Sequence, residues 1–305
     1  MSTVLITGGT GLIGKALGRA LLKRGYKVII VSRKTPAQSS EPALSYARWD
    51  VGKQMIDRGA VSSADYIIHL AGEGVAEKRW TKKRKHEIVN SRVQSSQLLV
   101  KSLREIPNKV RAVISASAIG WYGPDTTVPS PYPFTEEMPS AVDFIGYTCK
   151  QWEESIQPVA TLPIRLVIFR IGIVLSREGG ALKEFIQPLR WGIAAVPGRG
   201  KQMMSWIHID DLVNIFIASI KNENMNGVYN AVSPNPVSNR ELVLALARSR
   251  RRFFIPFRIP SFFLRLFLGE LSAEILKSAT VSCCKIQQTG FQFKYPDIQS
   301  ALKKI

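Results

Sequence analysis

Short apolar runs alternate with longer helical patterns over the first two-thirds of the chain. The predicted strands lie near residues 4–6, 28–31, 66–70, 110–115, 164–171 and 227–230. The predicted helices lie near residues 12–24, 81–105, 146–157, 210–221 and 239–248. Apolar strands separated by helices are typical of parallel strands that are buried on both faces. A helix that connects two parallel strands forms a right-handed crossover. The pattern therefore predicts an α/β fold with a Rossmann-type doubly wound parallel sheet.

The pattern becomes looser after Val174, where glycines and prolines interrupt it. We expect a first domain over residues 1–175, to which residues 208–235 return, and a smaller C-terminal domain from residues 176–207 and 236–305. One apolar set in the smaller domain has helical spacing, namely Phe262, Phe263, Leu266 and Phe267. This spacing favours packing in the core or at a subunit interface over contact with a membrane.

A glycine-rich turn joins the first predicted strand to the first predicted helix. Residues 7–14 are Thr-Gly-Gly-Thr-Gly-Leu-Ile-Gly. Glycine allows a tight turn and a close approach to a pyrophosphate, which the free N–H groups of the helix N-terminus then bind. In this strand–turn–helix position the pattern predicts a dinucleotide site. The predicted contacts in the turn are Gly8, Thr10, Gly11, Leu12, Ile13 and Gly14.

The end of the second predicted strand indicates which dinucleotide binds. NAD sites usually place an acidic residue there for the ribose hydroxyls, whereas this chain has Ser32, Arg33 and Lys34. A guanidinium can pair with a 2′-phosphate in a bidentate manner, and the serine hydroxyl can add a hydrogen bond. The sequence therefore predicts NADP as the cofactor. The alternative is that Arg33 and Lys34 only solvate a loop.

Composition limits the class of protein. The 305 residues are 45% hydrophobic and 21% charged, which is ordinary for a globular protein and argues against a disordered chain. Three cysteines, two of them adjacent, exclude a disulfide framework, and three histidines without clustering give no basis for a metal site. The first residues lack the features of a signal peptide, and charges and prolines interrupt the most apolar stretch. We expect a cytoplasmic protein with no membrane span.

The formal net charge of +19 indicates anionic partners. Many of the basic residues fall in two clusters, at residues 78–85 around Trp80 and at residues 248–252 before Phe253. Basic residues beside aromatic ones can bind nucleic acid or an anionic membrane surface. The alternative, which we favour, is ordinary solvated helix ends, so we expect neither nucleic acid nor membrane as a partner.

The chain resembles the extended short-chain dehydrogenase/reductase superfamily and, within it, the SDR39U1-type epimerase family of NAD-dependent epimerase/dehydratase-like proteins. The matching segments are residues 7–14, 31–34, 49–50, 69–73, 91–92, 115–123, 149–153, 205–212 and 289–302. The resemblance covers nearly the whole chain and includes a small C-terminal domain. It implies further cofactor contacts at Asp50, Leu70, Ala71, Gly72, Glu87, Arg92 and Val174. For Glu87 and Arg92, the alternative is ordinary charge on a helix surface.

The resemblance also implies a catalytic tyrosine, a lysine four residues later and a serine that orients the substrate oxygen. Ser117 matches the serine. Ile145 and Cys149 stand where the tyrosine and lysine are expected, so the usual pair is not intact. Tyr147 and Lys150 are three residues apart and could form a displaced pair on one helix face.

Two functions follow from these residues. The first is an NADP(H)-dependent oxidoreductase or epimerase that acts on a small carbonyl or nucleotide-linked substrate, with Ser117, Tyr147 and Lys150 as candidate catalytic residues and Tyr122 as another proton donor. The second is an NADP(H)-binding sensor or scaffold without turnover. Relatives of this superfamily often pair through two helices, so a homodimer is a further expectation.

Overall fold

A computed structural model describes residues 1–33, 41–250 and 253–305. The strands are β1 (Thr3–Thr7), β2 (Lys27–Ser32), β3 (Leu44–Asp50), β4 (Met55–Ile56), β5 (Tyr66–His69), β6 (Ala112–Ala118), β7 (Arg165–Ile171), β8 (Ile173–Leu175), β9 (Ile193–Pro197), β10 (Met203–Met204), β11 (Trp206–His208), β12 (Gly227–Ala231), β13 (Val237–Ser238) and β14 (Ile255–Ile259). The helices are α1 (Leu12–Lys23), α2 (Arg58–Ser63), α3 (Lys82–Glu105), α4 (Phe144–Ile156), α5 (Ala181–Leu189), α6 (Ile209–Lys221), α7 (Asn239–Ser249), α8 (Ser261–Leu268), α9 (Leu271–Leu276), α10 (Cys284–Gln288) and α11 (Ile298–Lys304).

The main sheet has the strand order β12-β7-β6-β5-β1-β2-β3-β4. All pairs in it are parallel except β3 with β4. The order in which strands are added switches sides at β1, because β2 and β3 lie on one side of it and β5, β6 and β7 on the other. In open α/β sheets, ligands bind in the crevice at the carboxyl ends of the strands at this reversal point. The predicted doubly wound sheet is confirmed.

Helices cover both faces of this sheet. Strand β1 alternates, with Val4 and Ile6 in one buried cluster and Leu5 in the other. Helices α1 and α6 contribute side chains to the first cluster, and α2 and α3 contribute side chains to the second. The two-sided burial explains why β1 is apolar at successive positions instead of alternating with polar residues.

Several helices begin at a residue whose polar side chain accepts a hydrogen bond from a backbone N–H group of the first turn. The hydroxyl of Thr81 accepts from the Arg84 N–H before α3, and the carboxylate of Asp143 accepts from the Gly146 N–H before α4. The side chains of Ser238 and Glu241 form a reciprocal capping box at the start of α7. Such caps satisfy backbone donors that a helix N-terminus otherwise leaves open.

The segment expected to return to the first domain contributes α6 and the edge strand β12, which pairs with β7. Another portion of the C-terminal part packs around a separate buried cluster that includes Trp206, Leu246 and Tyr295. In this part β9 and β14 form a small parallel pair. The exact division into domains stays a prediction.

The structure corrects one expectation about packing. Phe262, Phe263, Leu266 and Phe267 do not lie in the core of this chain, because all four side chains are exposed on α8 and only Leu264 of that helix is buried. Helical spacing correctly groups these four residues on one face of α8. It does not show whether that face packs against the rest of the chain or is exposed. Within the described residues, no helix is both long and apolar enough to cross a bilayer.

Candidate functional site

The glycine turn lies at the carboxyl end of β1, beside the point where strand order reverses. Gly8 has a φ of +67°, and a Cβ there would lie 2.8 Å from the backbone of Leu70. A Cβ on Gly14 would lie 2.5 Å from the Gly8 carbonyl oxygen. Larger residues at these positions would force the backbone apart, so the turn requires glycine.

The N-terminus of α1 faces this turn without a side-chain cap from any described residue, and Gly11 is the N-cap. The first backbone N–H groups of the helix, around Leu12 and Ile13, therefore have no side-chain acceptor in the described part of the chain. Free N–H groups and the positive end of the helix dipole suit an anion such as a pyrophosphate. Thr10 lies exposed in the same turn.

A buried histidine holds the strand ends around the turn. The Thr7 Oγ1 atom lies 2.8 Å from the His69 Nδ1 atom and also accepts hydrogen bonds from the backbone N–H groups of Leu70 and Ala71. On the other side of the ring, the His69 Nε2 atom lies 3.1 Å from the Ser96 hydroxyl on α3. Because Thr7 already accepts two hydrogen bonds, its own proton is free to go to Nδ1, which suits a neutral imidazole. Burial lowers the pKa of His69 to about 4.

The end of β2 presents Arg33 to solvent, with 80% of its side chain exposed. Its Nη1 atom lies 3.8 Å from a carboxylate oxygen of Glu73. Glu73 in turn faces the buried guanidinium of Arg84 at 3.6 Å. Arg33 is thus close to the Leu70–Glu73 segment after β5 and free to turn toward an anion. Lys34, also predicted to bind the cofactor, lies outside the described residues.

Arg92 and Glu87 differ from one another in their surroundings. Arg92 is buried against Gly72, donates to the Ile88 carbonyl at 2.9 Å and places its guanidinium 5.0 Å from the centroid of the Trp152 ring. It therefore supports the wall formed by Gly72. Glu87 accepts a hydrogen bond from Arg84 at 3.0 Å.

Two other expected contacts have distinct locations. Val174, in β8, lies near Leu12, because Gly180 is packed against the Leu12 side chain and close to the Val174 carbonyl. The structure thus brings Leu12 and Val174 to one border of the turn. The Asp50 carboxylate accepts from the Lys53 backbone N–H at 3.1 Å, so it stabilises the turn after β3.

Ser117 belongs to a buried charged network at the end of β6. Its hydroxyl donates to a carboxylate oxygen of Glu153 at 2.6 Å, and the Arg170 guanidinium donates to both oxygens of the same carboxylate at 2.9 and 3.0 Å. Although burial opposes its charge, the hydrogen bond and the charge of Glu153 raise the pKa of Arg170. Arg170 also lies 3.7 Å from the centroid of the Trp121 ring. The Ser117 proton is therefore directed at Glu153 in this structure.

Tyr122 joins the same network. Its hydroxyl donates to the Asn230 Oδ1 atom at 2.7 Å and accepts from Arg170 at 3.0 Å. Burial raises the pKa of Tyr122 to about 12, and the ring stacks on Phe134. These contacts give Tyr122 a packing and bridging role.

The structure does not bring Tyr147 and Lys150 to Ser117. Both side chains are exposed on α4, and Lys150 lies 3.9 Å from Glu154. The buried side of α4 carries Ile145 and Cys149, the residues that stand where tyrosine and lysine are expected. Burial raises the pKa of the Cys149 thiol to about 12, so the thiol stays neutral. Neither the thiol nor the thiolate form carries the positive charge of a lysine.

The basic cluster at residues 78–85 is not a stacking surface. Trp80 is buried, donates from its Nε1 atom to the Val75 carbonyl at 2.9 Å and packs edge-on against Phe144. Arg84 of the same cluster is also buried and donates to the Gly74 carbonyl at 2.7 Å. In the described parts of the chain, no group of three or more His, Cys, Asp or Glu could hold a metal ion.

Sequence reasoning missed Thr7, Glu73, Arg84 and the Glu153–Arg170 pair as parts of the site. The Arg84–Glu87 spacing of three residues on a helix was an available signal. The other pairs join residues far apart in the sequence, so spacing could not indicate them.

Comparison with known proteins identifies the family of this chain. The model of the NAD dependent epimerase/dehydratase family matches residues 4–231, and that of a domain of unknown function (DUF1731) matches residues 259–305. The chain belongs to the NAD dependent epimerase/dehydratase family. Among its relatives in this family is epimerase family protein SSP1921 of Staphylococcus saprophyticus, 36% identical over 100% of this chain and 99% of the relative. Epimerase family protein SAOUHSC_00792 of Staphylococcus aureus is 35% identical over the same shares.

Two solved structures have the same fold. The human epimerase family protein SDR39U1, crystallised with NADPH, is 30% identical and superimposes with a TM-score of 0.86 over 99% of this chain and 98% of that chain. UDP-glucuronic acid 4-epimerase from Bacillus cereus, in complex with UDP-glucuronic acid and NAD, is 20% identical with a TM-score of 0.79 over 99% of this chain and 96% of that chain. The second likeness shows the fold alone.

Proposed function

We propose that this epimerase-family protein binds NADP(H) and acts as an oxidoreductase or epimerase on a small carbonyl or nucleotide-linked substrate in the cytoplasm. The observation that carries the proposal is the end of β2, where an exposed Arg33 stands in place of an acidic residue. A guanidinium there favours the 2′-phosphate that distinguishes NADP from NAD. The NADPH bound to human SDR39U1 supports the same choice.

The residues present fit a dinucleotide phosphate. The tight glycine turn leaves room for a close approach, and the uncapped N-terminus of α1 offers N–H donors without an acidic residue in its first turn. Gly72, supported by Arg92, and Val174 would border the ribose and nicotinamide ends. NADP(H), when bound, supplies the hydride acceptor or donor. The chain itself would position that cofactor and the substrate oxygen.

Ser117 is the proposed residue for orienting the substrate oxygen. Glu153 accepts a hydrogen bond from the Ser117 hydroxyl at 2.6 Å, so a substrate that engages the hydroxyl must compete with a buried carboxylate. In the displaced-pair hypothesis, Tyr147 and Lys150 would supply the proton, which requires α4 to present a face that is exposed in this structure.

A second function, an NADP(H)-binding sensor or scaffold without turnover, is favoured by one observation. The buried face of α4 presents Ile145 and Cys149 instead of a proton donor and a cation. A proposed cofactor site that has no proton donor or cation on the adjoining face of α4 suits binding without chemistry. Chain pairing into a homodimer is compatible with both functions.

Thermal denaturation with NADP, NAD and no ligand, followed by anaerobic hydride transfer to a panel of carbonyl metabolites, tests both functions. We expect NADP to raise the Tm well beyond NAD, because a ligand that binds only the folded state stabilises it. Consumption of NADPH with one panel member supports the enzyme. Tight NADPH binding with neither consumption of NADPH nor epimerisation of any panel member supports the sensor, because an epimerase returns the hydride it removes and consumes no net cofactor.

A further inference from the structure

Two segments of the C-terminal part carry most of the exposed large apolar side chains among the described residues. The described residues include fifteen large hydrophobic side chains that are exposed, and nine of these come from residues 191–193 and 253–267. The nine are Trp191, Ile193, Phe253, Ile255, Phe257, Phe262, Phe263, Leu266 and Phe267. We call this set the aromatic surface. Such clustering marks an interaction site, whereas single exposed apolar residues are ordinary.

Strand pairing places the first half of the aromatic surface together. Strand β14 runs parallel to β9 with Ile255 beside Ile193, and the Ile255 N–H donates to the Gly192 carbonyl at 2.8 Å. Trp191 and Phe253, both 84% exposed, precede these two strands. Four large apolar side chains therefore project from one end of a two-stranded edge.

Helix α8 supplies the second half and follows β14 after Pro260. Leu264 packs inward, while Phe262, Phe263, Leu266 and Phe267 cover an outward arc of about 140° at about 100° per residue. A helix that belonged only to the core would turn this arc inward. The outward arc is as wide as the apolar face of a helix that lies in a membrane interface.

Positive charge borders the aromatic surface. Residues 242–269 contain six arginines and no lysine, aspartate or glutamate. The four cations Arg199, Lys201, Arg258 and Arg265 line a shallow pocket with the Ser261 and Ser278 side chains at the base of α8. None of these four cations has an ion-pair partner among the described residues.

The basic cluster at residues 78–85 reaches the other border. Arg79 lies against Gly269, the residue after α8, and Lys85 pairs with Glu270. Tertiary structure thus brings Arg79 and Lys85 of this cluster to the C-terminal end of α8. These two residues are among the charges that the dinucleotide site does not use.

We propose that the aromatic surface docks the protein on a bilayer that contains anionic phospholipids. The α8 side chains would enter the boundary between headgroups and acyl chains, and the bordering arginines would pair with headgroup phosphates. Charge complementarity selects this occupant over a second copy, because a two-fold contact would bring the same arginines face to face. It also selects against nucleic acid, which offers no apolar layer for Leu266, Ile255 and the outward phenylalanines. The proposal is independent of cofactor or substrate.

Vesicle flotation of the full chain tests the proposal. The vesicles contain phosphatidylcholine alone or phosphatidylcholine mixed with phosphatidylglycerol. We expect binding to the mixed vesicles that weakens as salt is raised. The F262S/F267S double variant should lose most of this binding. Arg265→Glu should weaken it about 30-fold, since each unit of charge near an anionic surface contributes about 1 kcal/mol.

Two matched controls separate the surface from general effects. Tyr132→Ser removes another exposed aromatic side chain, and Arg104→Glu makes the same charge change on α3. Both should bind mixed vesicles within about twofold of the parent chain. Because the altered side chains are exposed, each variant should keep the parent Tm, which thermal denaturation checks.

Three results would overturn the proposal. The first is equal binding of the parent chain to neutral and mixed vesicles, or binding to neither. The second is a dimer in light scattering that F262S/F267S converts to a monomer without any vesicle binding, which would assign the surface to a second copy. The third is duplex DNA binding at physiological salt that the same double variant abolishes.

Discussion

The buried His69 should make the stability of the protein depend on pH. The folded state holds this imidazole neutral between Thr7 and Ser96, and its pKa is lowered to about 4 from the ordinary 6.5. The unfolded chain takes up a proton as the pH falls below about 6.5, whereas the folded chain does not until about 4. Stability is therefore lost as the pH falls through this window. The linkage relation gives a loss of about 2 kcal/mol between pH 7 and pH 5 from this residue.

Urea denaturation of the parent chain and of His69→Gln at pH 7, 6 and 5 measures this contribution. Glutamine offers a donor and an acceptor but does not titrate. We expect His69→Gln to be less stable at pH 7 and to lose about 2 kcal/mol less than the parent chain on going to pH 5, since carboxylates common to both chains cancel in the comparison. Parallel pH profiles for the two chains would refute the assignment of a depressed pKa to His69.

Three further predictions concern the site. Glu73→Gln should tighten NADP binding about two- to fivefold in calorimetry, because it removes a carboxylate 3.8 Å from the Arg33 guanidinium; weaker binding would show that Glu73 positions Arg33 instead. Tyr147→Phe should leave NADPH affinity and any hydride transfer unchanged, because the side chain is exposed. A loss of turnover would support the hypothesis that Tyr147 and Lys150 form a displaced catalytic pair. Glu153→Ala should destabilise the fold by about 3–5 kcal/mol in urea denaturation, since it leaves the buried Arg170 charge unpaired; a change below 1 kcal/mol would contradict the role of this ion pair.

Local signals in the sequence predicted most of the strands and helices of the main sheet. The predicted strand near 164–171 is β7, and the predicted helix near 81–105 is α3, which begins one residue later because Thr81 is its N-cap. Apolar continuity and capping residues are properties of neighbouring positions, so a single sequence contains them. The glycine turn was predictable for the same reason, since its glycines, strand and helix are consecutive.

Features that depend on contacts between distant segments could not be predicted from the sequence. The sequence places Arg84 in a basic run, but its burial follows from the Gly74 carbonyl and Glu73, which the fold brings to it. The exposure of the apolar face of α8 could not be predicted either, because periodicity defines an apolar face without indicating what covers it. The Glu153–Arg170 pair joins α4 to β7 and becomes visible only once both pack beside β6.

The preference for NADP over NAD is tested most directly by calorimetric titration of both dinucleotides into the parent chain, Arg33→Ala and the exposed control Lys101→Ala. Charge-assisted hydrogen bonds to the 2′-phosphate of about 1.5–3 kcal/mol predict that NADP binds about 10- to 100-fold more tightly than NAD. Arg33→Ala should remove most of that preference and leave NAD affinity unchanged, while Lys101→Ala keeps it. Equal affinities for NADP and NAD in the parent chain would contradict the assignment of the β2 terminus as a phosphate site.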